Sequence, residues 1–125
     1  MENQLDIDST SVTPEIRFNI DAHKFLIKGR SMPEDSEAFY AHLIKWLRTN
    51  VGSRKITANM DVVLDYYNTG SFIRLMSLFI LLAELNKKGN ASSVRWFCDE
   101  DDQDNIDSAQ SFKDVLNLPF TTHFI

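Results

Sequence analysis

The chain has 125 residues with 18 acidic and 13 basic side chains, a net charge of −5, and a hydrophobic fraction of 43%. That length makes one domain, able to bury a core without covalent staples. The acidic balance argues against nucleic acid or an anionic membrane as the main partner, because phosphate neutralisation needs spare cations. The one cysteine, Cys98, excludes an intrachain disulfide and fits a reducing compartment.

Residues 1–12 are polar and aperiodic and read as a flexible N-terminal arm, leaving 13–125 as a single domain. They lack the basic-then-apolar order of a signal peptide. The longest apolar run, Leu78 to Ala83, is too short to span a bilayer. A cytoplasmic protein without membrane insertion is expected. After Thr13-Pro14, Ile16, Phe18 and Ile20 alternate with polar residues, and Phe25 with Ile27 continues after a turn at Asp21-Ala22-His23. This predicts a hairpin that closes at Gly29. Ser31, with Pro33 and Glu34 behind it, carries the signature of a helix cap. The helix that follows buries Phe39, Leu43, Trp46 and Leu47, with Tyr40 at the margin, and stops near Gly52.

The organising stretch runs from Ile56 to Leu85. Ile56, Ala58, Met60, Val62, Leu64 and Tyr66 alternate with Thr57, Asn59, Asp61, Val63, Asp65 and Tyr67, the period of a strand with one buried face. Asn68 and Gly70 then turn the chain, and an apolar helix is expected from Ser71 to Lys87. Lys88-Gly89-Asn90 ends it. Val94, Trp96 and Cys98 mark another strand. The acidic run Asp99 to Asp104 leads a helix carrying Ile106, Ala109, Phe112 and Leu116, and Phe120 to Ile125 forms a last strand. The order β-β-α-β-α-β-α-β predicts an α/β fold with a small, mixed, mostly parallel sheet of about five strands and helices largely on one side.

Few residues offer chemistry. His23, His42 and His123 show no ligand spacing, and the acidic run lacks the central glycine and terminal glutamate of a calcium loop. Phosphate-binding glycine loops and a nucleophile elbow are absent from the sequence. Asp61 and Asp65 share a strand face, yet nothing supplies a nucleophile or electrophile for them. No enzyme, cofactor or metal is expected. Thr69 and Ser71 stand at the mouth of a helix, where a hydroxyl can cap free amides, accept a phosphate, or do both. Leu81 lies within the helix's narrow polar stripe of Arg74, Ser77, Glu84 and Lys88, and Leu78 and Leu85 flank it. Two readings of these leucines are open: a helix wedged in the core, or a face turned to a partner protein.

At these residues the chain resembles the SiaC family of bacterial regulatory phosphoproteins, whose fold is similar to the STAS domains of anti-sigma-factor antagonists. The likeness is carried by Thr13-Pro14-Glu15, Gly29-Arg30-Ser31 with Pro33-Glu34, Trp46-Leu47, Tyr66-Tyr67-Asn68-Thr69-Gly70-Ser71, Val94-Arg95-Trp96, Asp99 to Asp102, and Leu118-Pro119-Phe120, in order. The resemblance implies a non-enzymatic switch. Its threonine is phosphorylated by a cognate protein kinase and restored by a PPM-type serine/threonine phosphatase. The unphosphorylated form binds a diguanylate cyclase or another output protein. By position the acceptor is Thr69, with Ser71 as alternative acceptor or helix cap, and Asn68, Gly70, Arg74, Leu78 and Leu81 on the partner-binding surface. Gly70 departs from the serine common in the family. The rival reading is an interaction or dimerisation module that is never phosphorylated.

Overall fold

From Lys24 onward every strand but the last is followed by a helix that returns the chain to the same end of the sheet. A computed structural model describes residues 2–52 and 54–125. Its elements are β1 (Gln4–Ile7), β2 (Glu15–Asn19), β3 (Lys24–Ser31), α1 (Ser36–Val51), β4 (Thr57–Tyr67), α2 (Thr69–Lys87), β5 (Ala91–Cys98), α3 (Gln103–Val115) and β6 (Phe120–Phe124). The six strands lie in chain order across one sheet. β1, β2 and β3 are antiparallel, and β3 to β6 are parallel. Successive right-handed crossovers moving in one direction across a sheet place all their helices on one face. The buried residues agree: Ile16, Phe25, Ile27, Met60, Val62, Val94 and Trp96 point to the helices, while Arg17, Lys28, Asp61 and Arg95 line the open face.

β4 is interior to the sheet, between β3 and β5, as its apolar alternation predicts. The N-terminal segment differs from expectation. Gln4–Ile7 pairs with β2 as an edge strand, so the sheet has six strands rather than five and begins inside the expected arm. Leu5 and Ile7 pack against the core, and the Trp46 indole donates to Glu2 Oε2 at 3.0 Å. Ser31 does not cap α1. That cap is Asp35, whose carboxylate accepts from the Ala38 amide at 2.9 Å, because Ser31 still belongs to β3.

α2 is long and apolar enough to cross a membrane by length and composition. Leu75, Leu78, Phe79, Leu81, Leu82 and Leu85 are instead buried in the core, against α1 on one flank and β5 and the aromatic side of α3 on the other. Phe79, Trp96, Phe112 and Phe120 pack with ring centroids 5.0 to 6.5 Å apart beneath it, spacings that favour edge and offset contacts.

Candidate functional site

The end of β4 sets the site. Opposite Gly29 and Arg30 the β3–β4 register shifts: Gly29 pairs with Leu64 but Arg30 pairs with Tyr66, leaving Asp65 as an extra residue. A bulge of this kind reverses which side chains face in. Tyr66, expected on the buried face, is 48% exposed, with the Arg30 guanidinium 5.7 Å from its ring centroid. Tyr67, expected outside, turns inward: its hydroxyl donates to Ser108 Oγ at 2.6 Å and its ring meets Trp96 edge-on. Burial pushes the Tyr67 hydroxyl pKa up, against its hydrogen bond to Ser108, which lowers it.

Asn68 is the N-cap of α2, its side chain accepting from the Ser71 amide at 2.8 Å. Its own amide donates to the Ser31 carbonyl at 3.1 Å, tying the turn to β3. Thr69 is therefore the first helical residue, and it is exposed. It borders a shallow cleft of about 230 Å³ formed with Tyr67, Asn68, Phe72 and Ser108. Gly70 packs on the start of α1, where an added methyl would come within 2.6 Å of Ser36 Oγ. A serine at position 70 is accommodated only if the Ser36 hydroxyl rotates away.

Ser71 is neither an accessible acceptor nor the cap. It is fully buried and donates to the Ser31 carbonyl at 2.8 Å, while Ser31 Oγ donates to Ser71 Oγ at 2.8 Å. Ser31 Oγ, its one proton given to Ser71, then accepts from the Tyr40 hydroxyl 2.6 Å away. Burial drives the Tyr40 pKa up to about 12, partly countered by its serine neighbours. Three buried hydroxyls thus bind β3, α1 and α2 directly beneath Thr69.

The expected partner face also changes. Leu78 and Leu81 are 0% and 2% exposed and belong to the core, so neither is available to a partner. α1 packs along this flank of α2, and the Arg74–Glu37 and Arg48–Glu84 pairs, at 3.4 and 3.9 Å, straddle the seam. The exposed stripe is turned instead toward Ile73 and Ile80, 51% and 45% exposed, with Ser77 between them. Ile73 lies one turn beyond Thr69 on the same helical face. Composition gave no signal for this, because α2 is apolar on nearly every side.

Among the described residues the remaining candidates form no cluster able to hold a metal ion. Asp61 is held by Arg95 through two contacts of 2.7 Å, and Asp65 is the exposed bulge residue. Asp102 caps α3 by accepting from the Asn105 amide. Burial raises the Cys98 pKa, with Asp102 and Asp99 adding to the effect, which disfavours the reactive thiolate. His23 occupies the left-handed turn at φ 58, His42 lies on α1, and His123 stacks on Phe97.

This architecture is shared with known proteins. The chain superposes on apo-SiaC from Pseudomonas aeruginosa with a TM-score of 0.82 and 29% identity, covering 98% of this chain and 99% of that one. It matches a chain of the crystal structure of the diguanylate cyclase SiaD in complex with its activator SiaC, from the same organism, at a TM-score of 0.85 and 28% identity over 97% and 99% of the two chains. An uncharacterized protein of Pseudomonas aeruginosa strain UCBPP-PA14 is 28% identical over 118 residues, 94% of each chain. The model of the SiaC family regulatory phosphoproteins matches residues 7–125. With a match over nearly its whole length, the chain belongs to the SiaC family of regulatory phosphoproteins.

Proposed function

We propose that this protein is a non-enzymatic, cytoplasmic switch, phosphorylated on Thr69, that binds and controls a diguanylate cyclase while Thr69 is free. The observation that carries this reading is the contrast between two neighbouring hydroxyls: Thr69 is exposed at the first position of α2, whereas Ser71 is sealed beneath it. A kinase can reach only the first. The likeness to the activator in the SiaD complex supports the choice of output protein. A dedicated kinase and a PPM-type phosphatase supply the two directions of the switch.

The contact surface is formed by Thr69, Asn68 and Gly70 at the turn, continuing along Ile73 and Ile80, with Arg74 at its margin. A phosphate brings roughly −1.5 to −2 charges to one end of that apolar stripe. A partner packed on Ile73 must then desolvate the phosphate, and a mismatch of this kind costs several kcal/mol at an interface hot spot. No metal or nucleotide chemistry is required of this chain.

The test combines two measurements. Phosphopeptide mapping of protein from its native cell is expected to find phosphate on Thr69 and none on Ser71. Cyclase binding is expected to survive in Thr69→Ala, to weaken in Thr69→Glu, and to be lost on full phosphorylation, because one carboxylate carries less charge than a phosphate. Equal binding by all forms would leave an interaction module that is never phosphorylated.

A further inference from the structure

We propose that β6 is a self-complementary edge through which two copies of this chain pair antiparallel about Thr122. β6 lies at the end of the sheet, with β5 on one side only. The Pro119 carbonyl accepts from the Val94 amide, and the Ile125 amide donates to the Cys98 carbonyl. In a parallel ladder these bonds alternate along the strand. Phe120, Thr122 and Phe124 therefore direct both their amide and their carbonyl outward, away from β5.

Pairing a second β6 antiparallel with Thr122 opposite its own copy sets Phe120 against Phe124 of that copy. Every residue with outward backbone groups then meets another of the same kind, for up to about six backbone hydrogen bonds. A register moved by one residue would place outward groups opposite groups already used by β5.

The side chains fit the same register. Phe120, Thr122 and Phe124 share the helix-side face, and Phe120 is core, whereas Phe124 is 59% exposed. Antiparallel pairing lays Phe124 of each copy beside the other's Phe120, and cross-strand aromatic pairs stabilise a sheet. The strand Phe120 to Phe124 carries no Lys, Arg, Asp or Glu, so no like charges oppose one another in the pair.

The other edge shows what protection looks like. β1 has four residues, includes Asp6, and is followed by Asp8 in an ion pair with Arg17 at 2.6 Å. Short length and charge are the usual devices that keep sheet edges apart. β6 has neither charge nor an internal proline.

The experiment is sedimentation velocity on the full chain over a wide concentration range, for wild type, Thr122→Pro and Phe124→Asp. Proline is tolerated on an edge strand where the lost amide faces outward, so Thr122→Pro leaves the β5 ladder intact. Phe124→Asp changes an exposed side chain and keeps the core. Wild type is expected to show a concentration-dependent dimer that both variants weaken at least tenfold, with unchanged monomer circular dichroism. Hydrogen exchange of the wild type should show slowing at the Phe120, Thr122 and Phe124 amides as concentration rises. A monomer at every concentration, or a dimer indifferent to both substitutions, overturns the proposal. So does an edge that the cyclase alone occupies, read as monomeric free protein with both variants defective in cyclase binding.

Discussion

Ser31 and Ser71 lie 40 positions apart and meet in the core through a bond of 2.8 Å, with Tyr40 as third partner. Buried hydroxyls are tolerated only when each finds a partner, and a satisfied set stiffens what it joins. The Tyr40 pKa, raised from 10.0 to about 12, gives this set a pH signature. The folded chain holds the proton more tightly than the unfolded chain, so the contribution is complete below pH 10 and is lost as pH rises toward 12. Two pKa units correspond to about 2–3 kcal/mol. Urea unfolding from pH 9 to 12 should therefore show a steeper loss of stability in wild type than in Tyr40→Phe. Parallel curves would remove this role for Tyr40. The helix cap makes a second contrast. Asn68→Ala is expected to cost about 1 kcal/mol, whereas Thr69→Ala should cost only a few tenths, because the capping oxygen belongs to Asn68. The sequence showed hydroxyls at the ends of strands and helices, and local pattern assigned Ser31 and Ser71 to caps. Their actual partners come from other elements, which local pattern does not encode.

At the scale of elements, the alternation of β4 and the helical period of α1 and α3 were legible because each has one wet side. α2 was legible as a helix but its facing was not, since α1, the sheet and α3 surround most of it and leave only a narrow wet stripe. Its hydroxyl at Thr69 was readable from the turn, but its rotation about the axis was not. The bulge at Asp65 is equally silent in sequence, and it exchanges the expected faces of Tyr66 and Tyr67. Paired substitutions test the rotation. Leu81→Ala should lower stability by about 2–5 kcal/mol through the cavity it leaves. Ile80→Asp should shift stability by only about 0.5 kcal/mol, as surface changes do. In cyclase binding, Ile80→Asp should lose affinity while remaining folded. A folded Ile80→Asp that binds as wild type does would move the contact surface off this stripe.

Across the whole molecule, the sheet separates two tasks. The turn bearing Thr69 follows β4, and β3 lies between β4 and the β1–β2 hairpin. The N-terminal strand is thus positioned to support the fold without touching the switch. It was unreadable in the sequence because only Leu5 and Ile7 break a polar run, too few to establish a period. Pairing with Ile16 and Phe18 opposite them makes it a strand. Removing residues 2–8 deletes that ladder, the Trp46–Glu2 bond and the Asp8–Arg17 pair. The apolar contacts of Leu5 and Ile7 are partial, which places the loss at about 1–3 kcal/mol rather than a collapse. For a domain of this size that lowers the melting temperature by roughly 4–15 °C. Well below the new midpoint, phosphorylation of Thr69 and binding of the cyclase by the truncated chain should match wild type. An unchanged melting temperature would return this segment to a loose arm. A lowered one with unchanged switching establishes it as an edge strand that stabilises the sheet from a distance.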